Sequence, residues 1–120
     1  MGSPSSFAAV QPYLLPAAVV AFLLYRQLRY KRIKSQLPQL LKDGALLVDV
    51  RSPEEFSAGS RPGSVNIPLD VLGQRAGELD KEKTILLCCA SGTRSGIAAG
   101  ILKRLGFKKV INAGPWQNTL

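Results

Sequence analysis

An α/β domain with a parallel sheet flanked by helices, preceded by one transmembrane helix, is the architecture this sequence predicts. Three observations carry the prediction. Short, continuously apolar runs, ALLVDV at 45–50 and TILLC at 84–88, recur between stretches of helical periodicity, as strands covered on both faces by helices require. Ser, Pro, Gly and Asp punctuate the joints between them. Ahead of everything lies Phe7 to Tyr25, a segment without a single charge.

That segment reads FAAVQPYLLPAAVVAFLLY, 19 residues in which Gln11 is the only strongly polar side chain. At about 1.5 Å per helical residue it spans roughly 28 Å, close to the roughly 30 Å hydrocarbon core of a bilayer. Lys+Arg 16 against Asp+Glu 8 gives a net charge of +8, and Arg26, Arg29, Lys31, Arg32 and Lys34 supply five of the positive charges before the first acid, Asp43. Basic residues flanking an apolar span mark the cytoplasmic side. The expected organisation is an N-terminal tail at 1–6, a transmembrane helix at 7–25, a basic juxtamembrane segment at 26–34 and a folded domain over 33–120. The protein is then single-pass, N-terminus outside, with its domain cytoplasmic and its collar against membrane lipid. Three alternatives compete with this organisation. A cleaved signal peptide wants its basic residues before the apolar run. A buried soluble helix is not needed by the rest of the chain. A shorter helix from Pro16 through the collar would lie on anionic lipid. The opening MGSPSS also fits the short Met-Gly-x-x-x-Ser acylation pattern, read here as chance.

Within the domain, Ser35 is the expected cap of a helix carrying Leu37, Leu40 and Leu41, with Gly44 past its end. ALLVDV is the first strand. Ser52-Pro53-Glu54-Glu55 combines a cap, a proline at the first helical position and acids in the first turn. Gly59 to Gly63 is loop, SVNI a second strand ended by Pro68, and LDVLGQRAGEL a helix with Asp70 as candidate cap. TILLC is the third strand. A helix from Ser95 to Leu105 is expected to turn Ile97, Ala98, Ile101, Leu102 and Leu105 to the core, with KKVIN as the last strand.

The composition excludes several chemistries. Histidine is absent, which removes any Ser/His or Cys/His pair. The two cysteines, Cys88 and Cys89, are neighbours, so they build no disulfide framework and no four-ligand zinc site. No metal and no cofactor are expected. The basic excess is a collar rather than a folded face interleaved with aromatics, so no nucleic-acid partner is expected either.

In parallel sheets, sites form where strand C-termini meet helix N-termini, and CCASGTRS at 88–95 lies at such a junction. Ala90, Ser91, Gly92 and Thr93 are small enough for the backbone to curl with its N–H groups inward, and the helix behind adds its positive end. Together with Arg94, such a cradle brings a cysteine from about 8.5 into the roughly 3.5–7.5 range, where the thiolate is nucleophilic without a histidine. Cys88 continues the apolar run and is expected to be core; Cys89 is the candidate nucleophile.

LLVDVRSPEEFSAGSRPGSVNIP followed by CCASGTRSGIAAGILKRLGF resembles a single-domain rhodanese of the thiosulfate:cyanide sulfurtransferase family, over roughly Ile33 to Trp116. Asp49-Val50-Arg51, Glu54-Glu55-Phe56, Pro62-Gly63, Asn66-Ile67-Pro68 and Cys-x-x-Gly-x-Arg-Ser at Cys89, Gly92, Arg94 and Ser95 match in order. The resemblance implies a rhodanese-like sheet and a Cys89 that takes sulfane sulfur from thiosulfate or a persulfide donor. Cys89 then passes the sulfur to a thiol acceptor or cyanide by covalent ping-pong. It implies that backbone N–H groups of Ala90 to Ser95 stabilise the sulfur anions and that Arg94 orders the loop or contacts an anionic donor. Asp49 and Arg51 support the site. Where the family often has Gly-His-Ile-Pro-Gly this chain has Gly59-Ser60-Arg61-Pro62-Gly63, so Arg61 is expected to add positive charge if it faces the site. Trp116 closes the match and is read as packing. A membrane-protein partner follows from the short tether. Two other readings stay open. Counted from Cys88 the loop is Cys-x5-Arg, the spacing of cysteine phosphatases and arsenate reductases. A catalytically silent docking module would share the fold.

Overall fold

The computed structural model describes residues 3–120, with side chains from residue 9 onward. Met1 and Gly2, which open the expected tail and the acylation pattern, lie outside the described residues. A boundary between two compact units falls between Arg32 and Ile33.

Helix α1 runs Ser3–Lys42. In the first unit its large apolar side chains, from Val10 to Leu28, stand exposed at successive positions, so the apolar surface is not confined to one face. A helix apolar all round is one that is buried in protein or crosses a membrane. The helix is long and apolar enough to cross a membrane. The helix start expected at Ser35 is not observed: Ser35 lies inside α1, where the backbone N–H groups that a cap would serve are bonded within the helix. Ile33 and Leu37, one turn apart and both buried, carry a single apolar face through that position. Gly44 does end the helix, in a left-handed conformation with φ 97°. Its N–H donates to the Leu41 carbonyl at 3.1 Å and that of Ala45 to Leu40 at 2.9 Å, the Schellman arrangement that glycine favours.

The second unit is built on a four-stranded sheet in the order β2-β1-β3-β4, from β1 (Leu46–Asp49), β2 (Val65–Asn66), β3 (Thr84–Cys89) and β4 (Lys109–Pro115). Every pairing is parallel, as the continuous apolar runs predict. Helices α2 (Pro53–Ala58), α3 (Leu69–Arg75) and α4 (Thr93–Arg104) connect the strands. Side chains alternate between the two sheet faces. Val48, Ile85, Leu87 and Cys89 join the larger core with Leu72, Ala98 and Leu102. Leu47, Leu86 and Cys88 join a second core under Leu37, Leu40, Leu41 and Trp116. Each fully buried leucine or isoleucine contributes roughly 1.5–3 kcal/mol.

Three local expectations need correction. Asp70 lies in the first turn of α3 and makes no side-chain cap there. The early N–H groups are taken by backbone carbonyls instead, Leu69 by Val50 at 3.1 Å and Val71 by Pro68 at 3.1 Å. Helix α4 starts at Thr93, and Ile97 and Leu105 are 53% and 39% exposed. The inward stripe is Ser95, Ala98, Ala99 and Leu102, one helical face at i, i+3, i+4 and i+7. Finally, β4 extends to Pro115, and its register against β3 shifts, with Leu87 opposite Asn112 but Cys88 opposite Gly114. This irregularity lies beside the Cys89 loop, where bulges commonly re-aim a side chain.

Candidate active site

Strand β3 ends at Cys89 and α4 begins at Thr93, so Ala90, Ser91 and Gly92 make the whole turn between them. Gly92 holds φ 98°, a left-handed backbone that an L side chain resists. This conformation aims its N–H at Cys89 Sγ, 2.9 Å away. The N–H of Ser95 points at the same sulfur from 3.4 Å, and Ser95 Oγ stands 3.4 Å from it. Cys89 is fully buried. Burial pushes its thiol up, but the Ser95 hydroxyl and the N–H groups of Ser95, Gly92 and Ser91 outweigh it, leaving the pKa below that of an ordinary cysteine. Cys88 is the reverse case. It belongs to the core on the opposite sheet face, and burial, with the Asp49 charge next, pushes its thiol up to about 12. Two adjacent cysteines are thus separated chemically by the alternation of one strand.

Asp49, Val50 and Arg51 leave β1 toward the same end of the sheet. Arg51 Nη2 donates to Asp49 Oδ2 at 2.7 Å and its Nε to both carboxylate oxygens at 3.0 Å. Its Nη2 also donates to the Gly59 carbonyl at 2.7 Å, and the guanidinium lies 4.8 Å from the Trp116 ring centre. This buried pair braces β1, α2 and the chain end; its donors and acceptors are spent on the scaffold.

Arg94 is held by a residue that the sequence reading left out of the site. Its Nη1 and Nη2 donate to Glu55 Oε1 and Oε2 at 2.7 and 2.9 Å. Glu55 also closes a capping box on α2, accepting from the Ser52 N–H at 3.2 Å while Ser52 Oγ accepts from the Glu55 N–H at 3.2 Å. The Arg94 guanidinium, then the Ser52 N–H, hold the Glu55 carboxyl at about 2. A capping box is legible as Ser-x-x-Glu; a partner 39 residues away is not.

Asn112 is the second unforeseen residue. Its Oδ1 accepts from Ser95 Oγ at 2.6 Å and from the Gly114 N–H at 2.9 Å, while its Nδ2 donates to the Gly92 carbonyl at 3.0 Å. The register shift in β4 thus ties the loop to a strand far from it in sequence. Ala90, Ser91 and Thr93 form the exposed rim, with Ser91 Oγ 3.3 Å from Thr93 Oγ1. Arg61 is elsewhere. It lines a separate cavity with Leu41, Ala45, Leu46 and Leu47, at the start of β1 rather than at the strand ends. A parallel connection must carry the chain back across the sheet before the next strand begins, and Arg61 is on that return. Among the described residues no three His, Cys, Asp or Glu side chains converge to hold a metal ion.

The Rhodanese-like domain family matches residues 34–113. YrkF of Bacillus subtilis is 46% identical over 69 residues, covering 58% of this chain and 37% of that one, so the chain spans little over a third of YrkF. The thiosulfate sulfurtransferase GlpE of Pseudomonas syringae is 35% identical over 82 residues, covering 68% of this chain and 77% of GlpE. Among solved structures, a rhodanese with anions from E. coli superposes with a TM-score of 0.59 at 35% identity, covering 62% of this chain and 91% of that one. The chain belongs to the rhodanese-like domain family and is a rhodanese-type sulfurtransferase.

Proposed function

We propose that the protein is a membrane-anchored sulfurtransferase that carries sulfane sulfur as a persulfide on Cys89. The observation that carries this reading is the convergence of the Gly92 and Ser95 N–H groups on one buried sulfur. Donors aimed at a sulfur favour its anion in a water-poor site. The Cys89 thiolate uses a lone pair to attack the terminal sulfur of thiosulfate. The S–S bond of the donor breaks, its electron pair leaves with sulfite, and Cys89 becomes Cys–S–S⁻. A thiolate or cyanide then attacks the outer sulfur, leaving as R–S–S⁻ or thiocyanate and regenerating the thiolate. Cys89 has no exposed surface, so donor and acceptor must reach it past the exposed rim of Ala90, Ser91 and Thr93. The positioning residues are Gly92, Ser95 and Asn112, with Asp49 and Arg51 bracing the scaffold.

The helix before Ile33 anchors the enzyme, with the basic residues from Arg26 to Lys34 among anionic headgroups and the sulfurtransferase unit cytoplasmic. That placement suits sulfur exchange with a membrane-bound partner. Three measurements test the proposal. Initial rates of thiocyanate formation, with thiosulfate and cyanide varied, are expected to give the parallel double-reciprocal lines of a ping-pong enzyme; intersecting lines would contradict the persulfide. After an alkaline carbonate wash the chain is expected to remain in the membrane pellet. Protease added to the cytoplasmic face should digest the sulfurtransferase unit and spare an N-terminal fragment. Release by salt alone would overturn the anchor.

A further inference from the structure

Arg94 is the one side chain shared by the Cys89 loop and a cleft of about 810 Å³ beside it. Val50, Pro68, Leu69 and Val71 give that cleft apolar walls, and Glu54, Asp70, Arg75 and Arg94 are its charged lining. Its volume is that of a small organic molecule, roughly 300–1,000 Å³, and far exceeds an inorganic ion. Both arginines already carry an ion pair, Arg75 with Glu78 and Arg94 with Glu55, so the cleft offers a dianion no net attraction. Arg94, the cation beside the loop, already has both terminal nitrogens on Glu55. Glu55 is fixed in turn by Ser52, so the pair does not come apart by simple rotation of the carboxylate.

We infer that Glu55 is a specificity-determining residue, which withholds the Arg94 charge from a dianionic donor such as thiosulfate and tilts the site toward sulfane donors of lower charge with an apolar body fitting the cleft. The inference rests on the Cys89 reading above. Benzenethiosulfonate is such a donor: the Cys89 thiolate takes its terminal sulfur, the S–S bond breaks, and benzenesulfinate leaves with the electron pair.

The test compares the full chain in detergent micelles with its Glu55→Gln variant, using thiosulfate or benzenethiosulfonate as donor and cyanide as acceptor. Glutamine preserves the capping box but removes the charge that neutralises Arg94. The KM for thiosulfate is expected to fall about threefold to fivefold, the scale of releasing a part-exposed ion pair. That fall should exceed both any change in kcat and the change in KM for benzenethiosulfonate. Adding Glu55→Gln to an Arg94→Gln background should leave the thiosulfate KM unmoved, because the arginine it would release is gone. A thiosulfate KM that rises or stays put in Glu55→Gln, or falls equally for both donors, would overturn the inference while leaving sulfur transfer intact. If the wild type takes sulfur from neither donor, the Cys89 reading and this inference fall together.

Discussion

Asp49→Ala is expected to destabilise the sulfurtransferase unit by about 3–5 kcal/mol, because it leaves Arg51 buried and unpaired. Arg51 is 4% exposed and Asp49 0%, so water cannot replace the lost carboxylate. That carboxylate accepts from the Arg51 backbone N–H at 3.0 Å as well as from the guanidinium. The loss is a large part of the 5–15 kcal/mol typical of a folded domain. It also spreads, because Arg51 ties the Glu55 and Gly59 carbonyls to β1. Urea denaturation of the full chain in detergent measures it, followed by the fluorescence of Trp116, the only tryptophan, which lies against Arg51. The midpoint should fall sharply. An unchanged midpoint would show that the pair does not brace the unit.

Gly92→Ala has the largest expected effect on the chemistry relative to its size. Alanine resists a φ of 98°, at a cost on the order of 1–2 kcal/mol. The backbone relieves that strain by turning the peptide that aims an N–H at Cys89 Sγ. Loss of one such donor typically lowers turnover on the order of 10²-fold. The carbonyl of the same residue accepts from Asn112 Nδ2 at 3.0 Å, so the turn also pulls on the side chain that holds Ser95. The thiol pKa, read by the pH dependence of alkylation at Cys89, should rise along with the loss of sulfur transfer. A normal alkylation profile in Gly92→Ala would mean that this N–H does not favour the thiolate.

Much of this was legible in the sequence because it is local. An apolar run, a turn of small residues and a helix start occupy consecutive positions from Thr84 to Arg104, so strand, loop and helix could be read together. The separation of Cys88 from Cys89 follows from strand alternation alone. What could not be read spans elements. Glu55 reaches Arg94 only because α2 and α4 start at the same end of a parallel sheet, and Asn112 reaches Gly92 only through a register shift in β4. The sequence expects Arg61 to add charge at the site only if it faces it, and the chain is by then returning to the other end of β1. Apolarity alone groups Ile97 and Leu105 with the packed side of α4, but the inward face runs through Ser95, Ala98, Ala99 and Leu102, which turns both outward. Continuity of α1 through Ser35 is not legible, because a capping residue in mid-helix looks the same as one at a helix start.

The central claim is that sulfur rides on Cys89, and intact-protein mass spectrometry after exposure to thiosulfate tests it most directly. Wild type and Cys88→Ser are each expected to gain the mass of one sulfur atom and to lose it on addition of cyanide, and Cys89→Ser is expected to gain nothing. A gain that survives in Cys89→Ser and vanishes in Cys88→Ser would move the nucleophile to the other face of the sheet. A folded wild type that gains no sulfur would contradict the account outright.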